Sequence, residues 1–189
     1  MRLFVALDIQ EAMRESLLGF ACELRAVCPE LRWVPTESWH VTLKFLGEIP
    51  QSSLDAVTGA LLRVECETID LRLRGYGFFP KRKPWRTFAI GVEPNGKLMR
   101  LEQAIGEVLS GLGVRGSEHS FRPHLTLARR GAGSSGADSN GSLEGLQEKL
   151  MSRPTPEFGT LSLREFWLYQ SELSASGSRY SKLQQFALI

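Results

Sequence analysis

Apolar residues recur along this chain with two different spacings, and each change of spacing marks a new strand or helix. A spacing of two residues predicts a strand, whereas steps of three and four predict an amphipathic helix. The spacing of two predicts strands or short extended segments at residues 3–9, 31–35, 39–47, 69–74, 87–93, 122–129, 160–169 and 178–188. The helical spacing covers residues 11–28, 52–64, 97–112 and 143–151.

Strand and helix alternate through the chain twice, and each half contains one strand that carries a histidine. This order predicts an α+β fold in which two halves face one another. The Gly- and Ser-rich segment 131–142 has almost nothing to bury, so we predict a flexible loop inserted into a single domain of residues 1–189. Frequent Gly and Pro also predict a loop at residues 76–86.

The predicted strand at 39–47 separates apolar from polar side chains. Alternate residues of a strand point to opposite faces of the sheet. The residues predicted to face the core are Trp39, Val41, Leu43 and Phe45. The residues predicted on the opposite face are His40, Thr42 and Lys44.

The sequence HVTL at residues 40–43 returns as HLTL at residues 124–127, although the chain contains three histidines in all. By the same alternation, His124 and Thr126 share one face of the second strand. A single such motif is typical of a half-buried histidine with a satisfied hydrogen bond, but its repetition in two similar strands favours a shared site. His119 has no comparable context, and we predict that it faces solvent in a loop.

Composition limits the classes of protein to which the chain can belong. With 189 residues and 42% hydrophobic content, it can bury a substantial core. The net charge of +2 is nearly balanced, so attraction to a polyanion must depend on where the charges lie. Three cysteines without metal-ligand spacing indicate thiols in a reducing compartment. No signal sequence or membrane span is predicted, and we therefore expect a cytoplasmic protein, without contact with a membrane, that is a monomer.

The segment between Leu71 and Val92 contains cations and aromatic rings but no acidic residue. Single-stranded RNA is bound by cations that contact phosphates and by rings that stack on bases. We therefore predict an RNA-binding loop whose cations are Lys81, Arg82, Lys83 and Arg86. The alternative is that the charges solvate a strand face and a loop, while Phe78 and Phe79 complete the core.

Two histidines on neighbouring strands suit proton transfer near neutral pH, because an imidazole titrates with a pKa of about 6.5. One imidazole can take a proton from a nucleophile while the other gives a proton to a leaving oxygen. A phosphate between them would accept hydrogen bonds from the hydroxyls of Thr42 and Thr126. The sequence lacks the ligand spacings typical of catalytic metal sites, so we expect neither a metal nor another cofactor.

The paired motifs and their flanking segments resemble the two-histidine (2H) phosphoesterase superfamily, in particular its bacterial RNA 2′,3′-cyclic phosphodiesterase branch, also called 2′-5′ RNA ligase. The segments that carry this resemblance are RLFVAL at 2–7, RWVP at 32–35, HVTLKFLG at 40–47, RPHLTLAR at 122–129 and SRY at 178–180. The resemblance implies a bilobal, pseudo-twofold fold with two mainly antiparallel sheets, flanking helices and a central cleft.

The resemblance also implies roles for individual residues. His40 would be the general acid and His124 the general base in hydrolysis of an RNA 2′,3′-cyclic phosphate to a 2′-phosphate, although the near symmetry of the motifs leaves the reverse assignment open. Thr42, Thr126 and Arg129 would bind the phosphate. The substrate would be a single-stranded or tRNA-derived RNA end or a nucleotide 2′,3′-cyclic phosphate, with reversible 2′-5′ ligation as an open second activity.

Two other hypotheses remain open at the level of sequence. In one, the same scaffold acts on a small cyclic nucleotide or on a 2′-5′ linkage, and the charges of the basic loop are dispensable. In the other, the chain is a non-catalytic RNA-binding protein with the same fold. The presence of both complete motifs argues against the second of these alternatives.

Overall fold

The computed structural model of the chain describes residues 1–114, 120–131, 143–174 and 177–189. His119 and residues 132–142 of the predicted flexible loop lie outside the described residues. The described strands are β1 (Arg2–Asp8), β2 (Arg32–Trp33), β3 (His40–Glu48), β4 (Ile69–Phe79), β5 (Thr87–Val92), β6 (His124–Arg129), β7 (Glu157–Leu163), β8 (Glu165–Ser174) and β9 (Gly177–Ala187). The described helices are α1 (Glu11–Val27), α2 (Leu54–Leu61), α3 (Gly96–Ser110) and α4 (Leu143–Met151).

The strands form two antiparallel groups of four that meet in the middle of one sheet. The order along the sheet is β7-β4-β5-β6-β3-β1-β8-β9, and the short strand β2 adds to β6. The groups are joined where β3 pairs with β6, and the register there consists of Val41 opposite Leu125. This arrangement confirms the predicted α+β fold with antiparallel strands and flanking helices, except that the two predicted sheets are joined into one. It places the two histidine strands side by side.

Strand β1 lies deep inside the molecule and is apolar on both faces. Leu3, Val5 and Leu7 belong to the main hydrophobic core. On the opposite face, Phe4 and Ala6 form a small second cluster with Tyr169 of β8. The strand therefore supplies apolar side chains directly beside the strand that carries His40.

Helix α1 follows β1 in the chain but packs on the other half of the molecule. The side chain of Gln10, just before the helix, donates to the carbonyl of Ser162 on β7 at 2.9 Å, and the hydroxyl of Ser16 donates to the carbonyl of Phe158 at 3.0 Å. The chain crosses back between halves at Arg164, the residue between β7 and β8. The continuous strand predicted at 160–169 is wrong for this reason, since it is two strands in different halves.

The predicted alternation of β3 holds as far as Leu43 and then fails. The β1–β3 register shifts between Val5 and Ala6 and again between Leu3 and Phe4, which places extra residues in β3. As a result, Leu46 is buried, whereas Phe45 is 64% exposed. The prediction that Phe45 faces the core is therefore wrong, and its ring lies on the cleft side of the sheet, 6.0 Å from that of Phe4.

Three further details depart from the sequence-based expectations. Strand β4 continues through residues 76–79, predicted as loop, because Gly75 adopts a positive φ of 70° at an irregularity in the β4–β5 register and the pairing then resumes. Helix α2 is shorter than the predicted segment 52–64, and Ser53 at its N-cap makes no capping hydrogen bond with its side chain. Helix α3 ends before the predicted residue 112, so Leu112 lies beyond the helix and is exposed, whereas Leu109 is buried.

The three cysteines are free thiols, as the sequence predicted. Within the described residues, no helix is both long enough and apolar enough to cross a membrane.

Candidate active site

The junction between the two halves brings the two histidine motifs together. His40 directly precedes Val41 and His124 directly precedes Leu125, and these two apolar residues are paired across β3 and β6. Extending this antiparallel register by one residue places Thr126 opposite His40 and Thr42 opposite His124. Each histidine is therefore next to the threonine of the other motif. The two motifs are related by a local twofold axis at the junction of β3 and β6.

The two imidazoles are held by the same hydrogen bond. Nδ1 of His40 lies 2.7 Å from the carbonyl oxygen of Ser38, and Nδ1 of His124 lies 2.8 Å from that of Arg122. A carbonyl oxygen accepts hydrogen bonds and does not donate them, so Nδ1 carries the hydrogen in both rings. In the neutral state, Nε2 of each ring consequently has a free lone pair with which to take a proton.

The aromatic surroundings of the two imidazoles differ. The ring of His40 lies 4.9 Å from that of Phe4 and 5.2 Å, edge to face, from that of Tyr180. The ring of His124 stacks on that of Phe79 at 4.5 Å. The aromatic residues fix both ring orientations, and His40 is the more enclosed of the two.

Burial lowers the pKa of both histidines. For His40 the pKa falls to about 4, because the enclosed ring loses hydration and the Arg129 guanidinium also disfavours a second positive charge, while the hydrogen bond to Ser38 and the Asp8 carboxylate act in the opposite direction. The pKa of His124 is lowered first by burial and then by Arg129. At neutral pH both imidazoles are therefore neutral while the site holds no anion.

The other residues predicted to bind phosphate lie next to the histidines. Thr42 and Thr126 are half-buried, and within the part of the chain that the structure describes neither hydroxyl has a hydrogen-bond partner. Arg129 is exposed at the end of β6, and its positive charge acts on both histidines. The junction of the two halves thus brings two proton-transfer groups, two hydroxyls and one cation close together.

The histidines open into two depressions in the surface. The first has a volume of about 1110 Å³ and contains His40, Arg129, Trp33 and Tyr180 in its lining. The second has a volume of about 1050 Å³ and contains His124, Thr42 and Phe79. Phe45 borders both depressions, so its exposed ring marks the ridge between them.

Comparison with known proteins agrees with this geometry. The family model of the 2′-5′ RNA ligase superfamily matches residues 16–172. The chain belongs to this superfamily, the two-histidine phosphoesterases. A curated relative from Archaeoglobus fulgidus, named RNA 2′,3′-cyclic phosphodiesterase, is 33% identical over 98% of this chain and 99% of its own length.

Solved structures show the superfamily fold over the whole chain. The crystal structure of TT0787 from Thermus thermophilus superposes with a TM-score of 0.81 at 29% identity, covering 100% of this chain and 98% of that one. The structure of E. coli LigT complexed with 3′-AMP gives a TM-score of 0.77 at 26% identity, covering 99% and 97%. The similarity therefore extends over both halves of the chain.

The basic loop of this superfamily member lies beside the second depression. Lys81 lines that depression, and Arg82 and Arg86 are exposed. The Lys83 ammonium lies over the Trp85 ring, 4.6 Å from its centre. The structure therefore places one of the four predicted cations next to His124 and leaves the others further along the loop.

The aromatic rings of this basic segment mostly belong to the core. Trp85 is buried and stacks on Phe78 at 4.7 Å, and Tyr76 donates from its hydroxyl to the carbonyl of Leu150 at 3.1 Å. Trp85 and Tyr76 are therefore not available to stack on bases. Phe79 does reach the cleft, where it covers His124, rather than completing the core as the alternative proposed.

The cations on the neighbouring strand β4 are engaged with carboxylates. The Arg72 guanidinium lies 3.2 Å from Glu157, and that of Arg74 lies 3.0 Å from the same carboxylate. Both also lie within 4 Å of Glu93. This strand face is therefore close to electrically balanced, unlike the loop that follows it.

Sequence reasoning missed three arginines of the first depression, Arg2, Arg32 and Arg179. Each lies in a segment that carried the family resemblance, but an isolated arginine in a strand is also typical of an ordinary solvated surface. The topology gathers them, because β1, β2 and β9 come from distant parts of the chain. Within the described residues, no group of three or more His, Cys, Asp or Glu side chains is placed to hold a metal ion.

Proposed function

We propose that this chain hydrolyses RNA 2′,3′-cyclic phosphodiester ends to 2′-phosphates, with proton transfer by two histidines and without a metal ion. The observation that carries the proposal is the matched Nδ1 hydrogen bond of His40 and His124, which leaves Nε2 of each ring free for proton transfer. The curated relatives named RNA 2′,3′-cyclic phosphodiesterase support the choice of substrate.

In this mechanism the cyclic phosphate lies between the two imidazoles. Nε2 of His124 takes a proton from water as the water oxygen bonds to phosphorus. The bond from phosphorus to the 3′ oxygen breaks, and Nε2 of His40 gives its proton to that oxygen. The product has a 2′-phosphate and a 3′-hydroxyl, and each proton transfer contributes roughly 10²–10⁴ in rate.

A neighbouring carboxylate distinguishes His40 from His124 and favours His40 as the acid. Asp8 favours the charged form of the His40 imidazole, and Asp8 faces His40 in the β1–β3 register. The anionic substrate would add to this effect and would offset the charge of Arg129. Burial and Arg129 lower the pKa of His40 as well as that of His124, so the choice of His124 as the base rests on the Asp8 carboxylate and on the family resemblance.

The remaining residues of the site would stabilise the phosphorane-like transition state. The hydroxyls of Thr42 and Thr126 would donate to the non-bridging oxygens, and each hydroxyl lies opposite the histidine of the other motif. Arg129 would balance the growing negative charge. Fixed donors of this kind act more strongly in a partly enclosed site than in bulk water.

The same geometry supports 2′-5′ ligation as a second proposed activity. If the 5′-hydroxyl of another RNA replaces water as the nucleophile, His124 takes its proton and the 3′ oxygen again departs. A 2′-5′ phosphodiester is then formed, and the reverse reaction regenerates the cyclic phosphate. Addition of an acceptor RNA with a 5′-hydroxyl, followed by a search for a longer product, tests this activity.

The decisive experiment uses a short RNA that ends in a 2′,3′-cyclic phosphate and the matching mononucleotide, each with and without excess chelator. We expect both to yield a 2′-phosphate at rates that the chelator leaves unchanged. A 3′-phosphate product would contradict the assigned leaving group, and inhibition by chelator would contradict the metal-free mechanism. Turnover of the mononucleotide alone would favour the small-nucleotide hypothesis, whereas binding of RNA without turnover would favour a non-catalytic role.

A further inference from the structure

The first depression concentrates positive charge beyond what the proposed reaction requires. Four arginines from four different strands line it, namely Arg2, Arg32, Arg129 and Arg179. Two of them are direct register partners, since Arg32 on β2 pairs with Arg129 on β6. Like charges in directly opposed positions of a sheet destabilise it, so the pair favours occupation of the depression by an anion.

These four guanidiniums also lack the partners that arginines have elsewhere in the fold. Arg14 pairs with Asp8 at 2.8 Å and Arg130 pairs with Glu144 at 2.8 Å. Within the described residues, none of the four arginines of the depression forms an ion pair. Glu37 lines the depression, and Glu48 and Glu172 face Arg2 and Arg179 in the sheet register, but among the described residues none of these carboxylates forms an ion pair with the four guanidiniums.

We infer that this depression binds the phosphodiester on the 5′ side of the terminal nucleotide, so that the RNA chain leaves the active site through it. The inference rests on the proposed function, which assigns the cyclic phosphate to the space between the histidines and Arg129. Arg2, Arg32 and Arg179 then remain for a second phosphate, with Arg32 next to Arg129 in the sheet. A guanidinium binds phosphate oxygens through two parallel N–H donors, which suits this role.

The size and the aromatic lining of the depression fit a nucleotide rather than a free inorganic ion. Its volume of about 1110 Å³ exceeds that of most sites for a single small ligand, which range over about 300–1,000 Å³. Trp33 and Tyr180 are both half-buried in its wall. Proteins that bind single-stranded RNA commonly place aromatic rings beside arginines, so that the rings stack on bases and the guanidiniums contact phosphates.

The test compares three substrates that end in the same 2′,3′-cyclic phosphate. They are a mononucleotide, a dinucleotide with a normal phosphodiester and a dinucleotide whose internal linkage is a neutral methylphosphonate. For the wild type, we expect kcat/KM to be higher for the charged dinucleotide than for the other two. Arg32→Gln and Arg179→Gln should each lower kcat/KM for the charged dinucleotide by about tenfold more than for the neutral one. Arg25→Gln, at an exposed position of α1 away from the cleft, is the matched control.

The outcomes separate this inference from the proposed function. Equal loss on the charged and neutral dinucleotides, or no loss on either, would overturn the arginine subsite while leaving the hydrolytic activity in place. Absence of turnover of all three substrates by the wild type would overturn the proposed function itself. A preference for the charged dinucleotide that persists in the Arg32→Gln and Arg179→Gln double variant would place the upstream phosphate elsewhere.

Discussion

Asp8 faces His40 across the β1–β3 pair, and its carboxylate is already held by Arg14 at 2.8 Å and by Lys182 at 2.5 Å. A carboxylate shared by two cations attracts a third positive charge only weakly. This explains why burial dominates and the pKa of His40 falls to about 4 even though a carboxylate lies beside it. Protonation of His40 at neutral pH must therefore depend on the substrate.

This relationship predicts different pH profiles for kcat/KM and kcat. In the free enzyme the pKa values of both histidines lie below 6.5, so the fraction with His40 charged and His124 neutral falls as pH rises above that value. We expect kcat/KM to decrease by up to tenfold per pH unit above about 6.5. The bound phosphate raises the pKa of His40, so the alkaline limb of kcat should lie at higher pH. A kcat/KM that is constant from pH 6 to 8 would contradict the two-histidine mechanism.

The acid and the base can be distinguished by changing the leaving atom. His40→Ala and His124→Ala should each reduce kcat on a normal cyclic phosphate by about 10²–10⁴. With sulfur in place of the bridging 3′ oxygen, the leaving thiolate needs no proton, because a thiol has a pKa of about 8.5. We therefore expect this substrate to restore turnover in His40→Ala and not in His124→Ala.

Controls for this experiment address folding and specificity. Urea unfolding of each variant shows whether the loss is structural, and His119→Ala tests a histidine to which no role is assigned. Rescue of His124→Ala instead of His40→Ala would reverse the roles of the two histidines. Activity of either alanine variant within tenfold of the wild type on the normal substrate would contradict both roles.

The basic loop should serve RNA binding rather than the chemical step. Replacing Lys81, Arg82 and Lys83 by Gln should weaken binding of an oligonucleotide and flatten its salt dependence, since each phosphate contact contributes about 0.7 to the slope of log K against log salt for single strands. Hydrolysis of a mononucleotide should change less. Arg72→Gln is the control, because Arg72 lies on β4, the strand before the loop, and its guanidinium is already paired with Glu157. Equal losses on both substrates would show that the loop supports the active site itself.

Gly91 should be sensitive to substitution although its backbone conformation is ordinary. It lies opposite His124 in the β5–β6 register, and a Cβ atom there would lie 2.5 Å from the carbonyl oxygen of Arg74. Gly91→Ala should lower the free energy of unfolding by about 1–3 kcal/mol, because the backbone of β4 must move. Gly59→Ala, in helix α2 with open space around the new methyl group, should raise it by about 0.5–1 kcal/mol. Urea denaturation measures both, and equal stabilities would contradict the close approach.

Much of the site was predictable because its parts repeat. The alternation in the two motifs placed Val41 and Leu125 in the core and their histidines on the opposite face, and the structure agrees. The same alternation failed at Phe45, because an irregular register depends on how β3 pairs with β1 and not on the sequence of β3 alone. Strand pairing of this kind is a tertiary effect that a local pattern does not contain.

The arginine-lined depression could not be predicted from local sequence patterns for a related reason. Arg2, Arg32 and Arg179 are far apart in the chain and each resembles a solvated strand residue. Their proximity follows from the sheet order, in which β8 and β9 extend the β1 edge while β2 adds to β6. The split between β7 and β8 at Arg164, which sequence reasoning also missed, is part of that same order.

The pairing of Val41 with Leu125 has a consequence for the range of substrates that the site accepts. The two imidazoles belong to different halves of the molecule, and each keeps its own hydrogen bond to a backbone carbonyl. The separation of the imidazoles is therefore fixed by the pairing of β3 with β6, at a strand spacing of about 5 Å, above two completely buried aliphatic side chains. A change in the volume of either side chain would disturb this pairing and shift the two histidines relative to one another. The range of substrates that the active site accepts thus depends on the packing of the hydrophobic core.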